Sequence, residues 1–229
     1  MERVAQREYL TFTTTNIKLI ALVSMLIDHI GLILYPDAIV LRIIGRLAFP
    51  LFAFCIAEGM AHTKDKVKYI RNVFFFAVIS TPVYIVAVEK PYNVLWTFVY
   101  AMLCIIIIDY EQKKKKWYIS IICFAVYMFI LFFAEYTKTD YRSYGVLLVV
   151  LFYYYYSRKN KASKEMTMLL FTVLTCWCYF GTVQMFCFFS IPILWFYNGQ
   201  KGSTKGKWLF YSFYPLHLLI LYVISRMFH

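Results

Sequence analysis

The sequence contains little charge for its length: 16% of its residues are charged and 62% are hydrophobic. Because a typical soluble domain is about half apolar and about a quarter charged, this composition excludes an ordinary soluble domain. The mean hydropathy is +0.63. Apolar runs long enough to cross about 30 Å of hydrocarbon recur from one end to the other, and no soluble domain fits between them. The sequence therefore predicts an integral membrane protein.

Several patterns are missing, and each absence excludes a class of protein. The apolar runs lack the short alternation of a membrane β-barrel, so helices remain as the spanning elements. No basic face interleaved with stacking aromatic residues is present, which argues against nucleic-acid binding. An internal repeat of the kind that marks many transporters is also missing. The N-terminal segment lacks a small-residue cleavage site, so we expect a retained first helix instead of a signal peptide.

The apolar runs predict an all-α, polytopic membrane protein that forms a single domain over residues 1–229. We expect about nine transmembrane helices, some of them short or re-entrant. The predicted spans are 17–36, 38–60, 69–88, 93–110, 117–134, 144–157, 165–180, 182–197 and 208–226. Residues 165–197 are also compatible with one re-entrant hairpin, and Pro50 is expected to kink the second span.

The net charge of +12 comes mainly from short loops between the apolar runs. With the N-terminus in the cytoplasm, basic clusters that begin at Lys64, Lys113, Arg158 and Lys201 all lie on the cytoplasmic side. Cytoplasmic loops of membrane proteins carry an excess of Lys and Arg, so the pattern predicts this orientation. All but six of the 24 Lys and Arg residues then lie on the cytoplasmic side. The six are Arg42, Arg46, Lys90, Lys138, Arg142 and Arg226.

The first two apolar runs, which meet at residues 35–37, contain an unusual number of ionisable residues. These are Asp28, His29, Arg42, Arg46 and Glu58. A charged side chain at mid-bilayer costs roughly 2.5–3.5 kcal/mol on insertion scales, so such groups need partners or a wet cavity. This hairpin therefore predicts a buried polar site.

Helical spacing suggests how these residues are arranged. Lys18 and His29 are 11 residues apart, so they share one face of a helix about 16 Å apart along its axis. Arg42 and Arg46 share a face of the next helix. Asp28 points about 100° away from His29, so we expect it to pair with an arginine and to leave His29 facing a cavity. Structural alternatives stay open: Lys18 as a snorkelling boundary residue, and Glu58 as a solvated one.

Polar residues later in the chain are further candidates. Asp140 and Arg142 form either a surface pair or an acceptor-binding group. Tyr214 and His217 lie on either side of Pro215 in the last span. Two embedded histidines on separate helices suit proton transfer better than metal binding, because no third ligand is apparent. We therefore expect no metal.

Short motifs in a fixed order along the chain resemble those of the TraX family. They are Lys18-Leu19-Ile20-Ala21, Leu26-Ile27-Asp28-His29-Ile30-Gly31, Leu41-Arg42-Ile43-Ile44-Gly45-Arg46-Leu47-Ala48-Phe49-Pro50, Glu58-Gly59, Asp140-Tyr141 with Gly145-Val146-Leu147-Leu148, Tyr197-Asn198-Gly199, and Phe213-Tyr214-Pro215-Leu216-His217-Leu218. The resemblance covers nearly the whole chain. TraX-type proteins are polytopic inner-membrane proteins known for N-terminal acetylation of conjugative pilin, and they look related to the acyltransferase 3 and heparan N-acetyltransferase families.

The resemblance implies a membrane-embedded acetyltransferase in the bacterial cytoplasmic membrane. The donor would be cytoplasmic acetyl-CoA, and the acceptor an amine or hydroxyl of a protein such as pilin or of a surface glycan. Acyltransferase 3 proteins carry an Arg, ten further residues and a His in the first helix. Lys18 and His29 keep that spacing, but Lys lacks the planar guanidinium fork of Arg. Besides the donor and the acceptor, we expect membrane lipids as the partners of the chain and no nucleic acid.

The implied chemistry assigns roles to the candidate residues. His29 would act as general base or transient acyl carrier, since an imidazole with a pKa near 6.5 suits proton transfer at neutral pH. Arg46 would stabilise the developing oxyanion, with help from Arg42. The catalytic set is thus Asp28, His29 and Arg46. Lys18 and Arg42 would bind the donor, and Glu58, Asp140, Tyr214 and His217 would contact the substrate or support the catalytic residues.

Two other functions remain open at this stage. Intramembrane charges and kinked helices also line conduction paths, so a transporter or lipid flippase is the first alternative. The second is a non-catalytic membrane partner in a pilus or secretion assembly. Acetyl transfer by the purified protein would separate the enzyme from both.

Overall fold

The computed structural model describes residues 11–157, 183–202 and 207–228. In chain order the helices are α1 (Thr14–Ile33), α2 (Ile39–Gly45), α3 (Ala48–His62), α4 (Lys66–Val88), α5 (Val94–Lys114), α6 (Trp117–Tyr136), α7 (Arg142–Ser157), a 3-10 helix (Gln184–Phe189), α8 (Ser190–Trp195) and α9 (Lys207–Phe228). The predicted span 165–180 lies outside these residues.

Helices make up the secondary structure of the described part of the chain, and no strand is found there. Within that part, five helical segments are long and apolar enough to cross a membrane. They are Thr14–Ile33, Ile39–His62, Lys66–Val88, Val94–Lys114 and Trp117–Tyr136. The predicted all-α, polytopic membrane protein is therefore confirmed. The total of nine spans, the cytoplasmic N-terminus and the single-domain organisation stay predictions.

The second predicted span is split into α2 and α3 at Arg46 and Leu47. The backbone N–H groups of these two residues bond three residues back, to Ile43 and Ile44. Pro50 accounts for the break, because it has no N–H for the carbonyl of Arg46 and its ring would clash with that carbonyl. The predicted kink is confirmed, and it places the Arg46 side chain at the junction between two helices.

The start of α1 and residues 197–202 meet at one end of the bundle, which we call the basic end. The N–H of Thr14 donates to the carbonyl oxygen of Gln200 at 2.9 Å, and Phe12 forms an isolated bridge with Tyr197. The hydroxyl of Tyr197 also reaches Glu58 in α3, at 3.4 Å. These contacts place both segments beside the C-terminal end of α3. They agree with a topology in which these segments share one side of the membrane.

The α4–α5 and α6–α7 turns meet at the opposite end. The N–H of Asp140 donates to the carbonyl oxygen of Tyr92 at 3.3 Å, and the Asp140 carboxylate pairs with Lys90 at 3.5 Å. Asn93 caps the start of α5 by accepting a hydrogen bond from the N–H of Leu95. The ends of the helices are thus tied together by polar contacts.

The core lies where α1, α3, α5 and α7 pack together, around Ile17, Leu51, Ile105 and Leu148. Small buried residues of α3, such as Ala53 and Ala57, let its neighbours approach closely. α6 is peripheral by contrast, since Ala134 is the buried residue of that helix. The large apolar side chains on the outer face of α6 are the surface expected to face lipid. They are Ile121, Phe124, Phe129 and Phe132.

Candidate polar site around His29

One carboxylate and two guanidinium groups meet where α1 packs against α2. Asp28 Oδ2 lies 3.1 Å from Arg42 Nη1, and Asp28 Oδ1 pairs with Arg46 Nη2. Arg42 Nη1 also donates to the backbone oxygen of Asp28 at 3.0 Å. The predicted pairing of Asp28 with an arginine is confirmed, and the aspartate in fact binds both arginines.

Arg46 is fully engaged in this cluster. Its Nε donates to the backbone oxygen of Arg42 at 3.0 Å, and its Nη1 donates to Oε1 of Gln184 at 2.9 Å. Together with the Asp28 bond, each of its three nitrogens has a partner. A guanidinium used in this way is held in one orientation, so Arg46 anchors the 3-10 helix to α1 and α2.

A glycine makes the close contact between α1 and α2 possible. A Cβ placed on Gly45 would overlap the Asp28 side chain. The same face of α1 is close to α2 at Gly31, where a Cβ would lie 2.8 Å from Cβ of Leu41. Without side chains at these two positions, α1 and α2 approach closely enough for Asp28 to reach both arginines.

His29, one position along α1, contacts α9 and makes no ion pair with this cluster. Its Nδ1 lies 2.8 Å from Nε2 of His217, and both residues are buried. Nδ1 of His217 lies 2.7 Å from the backbone oxygen of Phe213. The sequence brought both histidines to attention, and the structure places them in direct contact. No third His, Cys, Asp or Glu joins them as a metal-binding group in the described residues.

Hydrogen-bond chemistry fixes the protons of this pair when both rings are neutral. The Phe213 carbonyl only accepts, so Nδ1 of His217 carries the proton and its Nε2 is an acceptor. Nδ1 of His29 must then donate to that acceptor. The unprotonated, basic nitrogen of His29 is therefore Nε2, and no hydrogen bond to it is found from the described residues.

Aromatic rings pack around the histidine pair. Tyr214 contacts both imidazoles edge to face, with centroid distances of 6.3 Å to His29 and 5.7 Å to His217. Phe213 stacks on His217 at 4.8 Å. The rings limit water access and restrict the orientation of both histidines. Tyr214, a predicted site residue, thus lies at the pair itself.

Two predicted residues, Lys18 and Glu58, lie elsewhere, toward the basic end. α1 is continuous from Thr14 to Ile33, so Lys18 stays about 16 Å along the axis from His29. Glu58 is buried and pairs with His62 at 3.1 Å. No hydrogen bond or ion pair joins either residue to His29 within the described ranges. The interpretation of Glu58 as simply solvated is wrong, because the side chain is 7% exposed.

Asp140 lies at the opposite end of the bundle. Its carboxylate pairs with Lys90, and Arg142 pairs instead with Glu135 at 3.1 Å. The suggested surface pair between Asp140 and Arg142 is therefore wrong. The adjacent Tyr141 stacks on Phe49 with centroids 3.6 Å apart, next to the α2–α3 junction.

Sequence reasoning did not identify Gln184 as a site residue. It begins the 3-10 helix, is buried, and accepts a hydrogen bond from Arg46. A polar residue in an apolar run was the only available signal, and one glutamine in the sequence does not reveal a partner 138 positions away.

Taken together, the fold and the site define a polytopic helical membrane protein with a buried histidine pair beside an Asp–Arg–Arg cluster. The family described as TraX protein matches residues 13–225, so the chain belongs to the TraX family. It is 28% identical to the probable fimbrial assembly protein FimC, serogroup H1, of Dichelobacter nodosus, over 92% of this chain and 94% of that protein.

A second relative is the uncharacterized protein RP591 of Rickettsia prowazekii (strain Madrid E). It is 31% identical over 55% of this chain and 48% of the relative. No solved structure matches the chain. The name of the first relative places that protein in fimbrial assembly.

Proposed function

We propose that the protein is a transmembrane acetyltransferase of the bacterial cytoplasmic membrane that moves an acetyl group from acetyl-CoA to an amine or hydroxyl acceptor. The observation that carries the proposal is the hydrogen-bonded chain from Phe213 through His217 to His29. A general base needs a free nitrogen and a partner that holds the ring in place. The hydrogen bonds of this series leave Nε2 of His29 free and hold its ring through Nδ1.

His29 is the base in this proposal, and His217 positions it. An amine acceptor attacks the thioester carbonyl of acetyl-CoA, and Nε2 of His29 takes the proton that the nitrogen loses. The resulting imidazolium keeps its Nδ1–H bond to His217. The C–S bond then breaks, and the same proton passes to the departing CoA thiolate. The products are the acetylated acceptor and CoA, and His29 returns to its starting form.

Arg42 is better placed than Arg46 to stabilise the oxyanion. Arg46 already has a partner on each nitrogen. The contacts of Arg42, by contrast, all use Nη1, within the described residues. Its Nη2 and Nε therefore retain donors for a substrate oxygen. The role assigned from the sequence to Arg46 passes mainly to Arg42 in this proposal, and Asp28 and Arg46 hold Arg42 in place.

Lys18 fits the donor better than the acceptor. It lies toward the basic end and is half-buried. Thr14 and Thr15, about one turn before it, bond to the backbone oxygens of Gln200 and Lys201, so one further cationic residue, Lys201, is near. CoA carries its phosphates far from its thioester, which suits phosphate binding at Lys18 and reaction near His29.

The acceptor we favour is the N-terminus of a pilin subunit. Two observations support it: membership of a family associated with pilin acetylation, and a relative named as a probable fimbrial assembly protein. An α-amine with a pKa of about 7.7–8.0 needs a base to lose its proton during attack. A glycan amine or hydroxyl would use the same base and is the alternative acceptor class.

The test is acetyl transfer by the purified protein in liposomes, with radiolabelled acetyl-CoA and a peptide that copies a pilin N-terminus. His29→Ala should lower the rate by about 10²–10⁴-fold, as expected for loss of a general base. His62→Ala is the matched control, because His62 is a hydrogen-bonded histidine at the other end of the chain's first hairpin. Equal rates for wild type and His29→Ala would overturn the proposal.

A non-catalytic role in pilus assembly is the second candidate, favoured by the name of the D. nodosus relative. This role predicts that His29→Ala still works in cells: the variant should accumulate in the membrane and support normal piliation. Comparing piliation with the mass of the pilin N-terminus in the same strain separates the two roles.

A further inference from the structure

A groove of about 310 Å³ opens beside the Asp28 cluster. Ile39, Arg42, Arg46, Val183 and Gln184 line it. Two apolar side chains thus face two guanidinium groups and an amide. The mixture differs from a lipid-facing surface, on which charged groups are absent, and suits a ligand with one polar end.

Gln184, which lines this groove, has a hydrogen-bond donor without a partner among the described residues. Arg46 has only N–H donors, so the Gln184 atom that faces it is the carbonyl Oε1, and the amide Nε2 points elsewhere. This Nε2 is buried and has no hydrogen-bond partner within the part of the chain that the structure describes. A buried donor without an acceptor lowers the stability of the folded state, so such a group in a native protein requires an explanation.

The charge of the groove is also unbalanced. Arg42 and Arg46 carry two positive charges, and Asp28 is the carboxylate that pairs with them among the described residues. One positive charge is left over. Arg42 also keeps donors on Nη2 and Nε that no described residue uses. Arg42 and Gln184, the two residues with these unused donors, both line the groove.

We propose that this groove binds a negatively charged oxygen group, a carboxylate or a phosphate, with Arg42 Nη2 and Gln184 Nε2 as its two donors. Nε of Arg42 then stays available for the oxyanion of the proposed reaction. The site itself stands on the groove. Its assignment to the acyl acceptor rests on the proposed function, and it adds that the acceptor carries an acidic group near its reacting amine or hydroxyl. Arg46 positions Gln184 and does not itself contact the anion.

The first experiment measures binding without catalysis. Thermal unfolding of the purified full-length protein, in a neutral detergent, is followed by tryptophan fluorescence while inorganic phosphate or acetate replaces chloride at constant ionic strength. The midpoint should rise and then saturate, because a ligand that binds the folded state stabilises it. A midpoint that does not differ from that in chloride would overturn the proposal.

Gln184→Glu is the most informative variant. Its carboxylate still accepts from Arg46, balances the second arginine and removes the Nε2 donor. We expect a higher midpoint in chloride and complete loss of the phosphate and acetate effect. Gln184→Leu should weaken anion binding by about tenfold or more, as expected for a hydrogen bond to a charged group. Gln112→Glu, an exposed residue at the basic end, is the matched control and should titrate like wild type.

Two further arms identify the source of the anion. In nanodiscs of phosphatidylcholine alone, phosphate should still raise the midpoint. Adding phosphatidylglycerol will abolish that rise if a lipid headgroup occupies the groove, and will leave it intact if the anion belongs to a soluble or peptide substrate. If phosphate raises the midpoint of Gln184→Glu as much as that of wild type in both membranes, the site is rejected.

The acetyl-transfer assay on the same preparations separates this inference from the proposed function. Anion binding that depends on Gln184, in a protein with no acetyl transfer to any acceptor, would support the groove and reject the enzyme. Acetyl transfer without Gln184-dependent anion binding would support the enzyme and reject the groove.

Discussion

Nδ1 of His29 and Nε2 of His217 lie 2.8 Å apart, although 188 positions separate the two residues in the sequence. The contact joins α1 to α9, the first and last helices of the described chain. Because Phe213 fixes the proton on the far side of His217, the bond determines which nitrogen of His29 is basic. The last helix therefore sets the position of the proton on the His29 ring of the first.

His217 should act as a positioning residue whose role depends on accepting a hydrogen bond. We expect His217→Leu to lower kcat for acetyl transfer at least about tenfold with little change in the KM for acetyl-CoA, because His29 loses its orienting partner. His217→Gln should recover part of the rate, since its Oε1 can accept from Nδ1 of His29. Steady-state kinetics per amount of folded protein measure both.

Equal rates for the Leu and Gln variants would contradict this role, because they would show that packing alone matters. Phe213→Leu is a useful control. It removes the ring stacked on His217 but keeps the backbone oxygen that orients it. Its rate should stay closer to that of wild type than the rate of His217→Leu does.

Asp28 should contribute far more to stability than a surface carboxylate does. Asp28→Asn leaves two partly buried guanidinium groups without a counter-charge, and breaking such a pair costs about 3–5 kcal/mol. Glu135→Gln is the matched control, because Glu135 and Arg142 form a more exposed pair worth about 0–1 kcal/mol. Reversible unfolding in mixed micelles compares the two. Equal losses would contradict the central role of the cluster.

The membrane class, the first helices and the Asp28 pairing could be predicted from the sequence, because each depends on local spacing. A 100° offset between neighbouring helix positions is enough to send Asp28 and His29 to different partners. The break at Arg46 followed from the ring of Pro50. In each case the determining residues lie within a few helical turns of one another.

Contacts between distant segments could not be predicted in this way. The sequence identified His217 as a second embedded histidine but not as the direct partner of His29. Gln184 went unrecognised for the same reason, since its role depends on Arg46, which lies far away in the sequence at the α2–α3 junction. The sequence suggested that Asp140 pairs with its neighbour Arg142, but the turn places Asp140 beside Lys90. Packing of whole helices decides these partners.

The orientation of the bundle can be tested with two matched cysteine substitutions. Lys115 and Lys138 are both exposed, and both have left-handed backbone angles, so Cys should affect folding similarly at the two sites. With a cytoplasmic N-terminus, Lys138→Cys should react with a membrane-impermeant maleimide in intact bacterial spheroplasts. Lys115→Cys should react only after permeabilisation. The reverse pattern would show that the orientation predicted from the basic loops is wrong.

Gly45 should be required for the geometry of the site. The Cβ of Gly45→Ala would overlap Asp28, so α1 and α2 must separate. Overpacking of this kind costs about 1–3 kcal/mol. A shift of about 1 Å near a reacting group can lower a rate about 10²-fold, so we expect a large loss of acetyl transfer per folded protein.

Gly59→Ala tests whether that loss is specific to the site. Its Cβ would lie 2.8 Å from the ring of Tyr69 at the basic end, so it should also destabilise the protein. Its acetyl transfer per folded protein should nevertheless stay within about threefold of wild type, because Tyr69 lies away from the histidine pair. If the two variants lose stability and activity in the same proportion, then the approach of α1 to α2 at Gly45 serves folding and not the reaction.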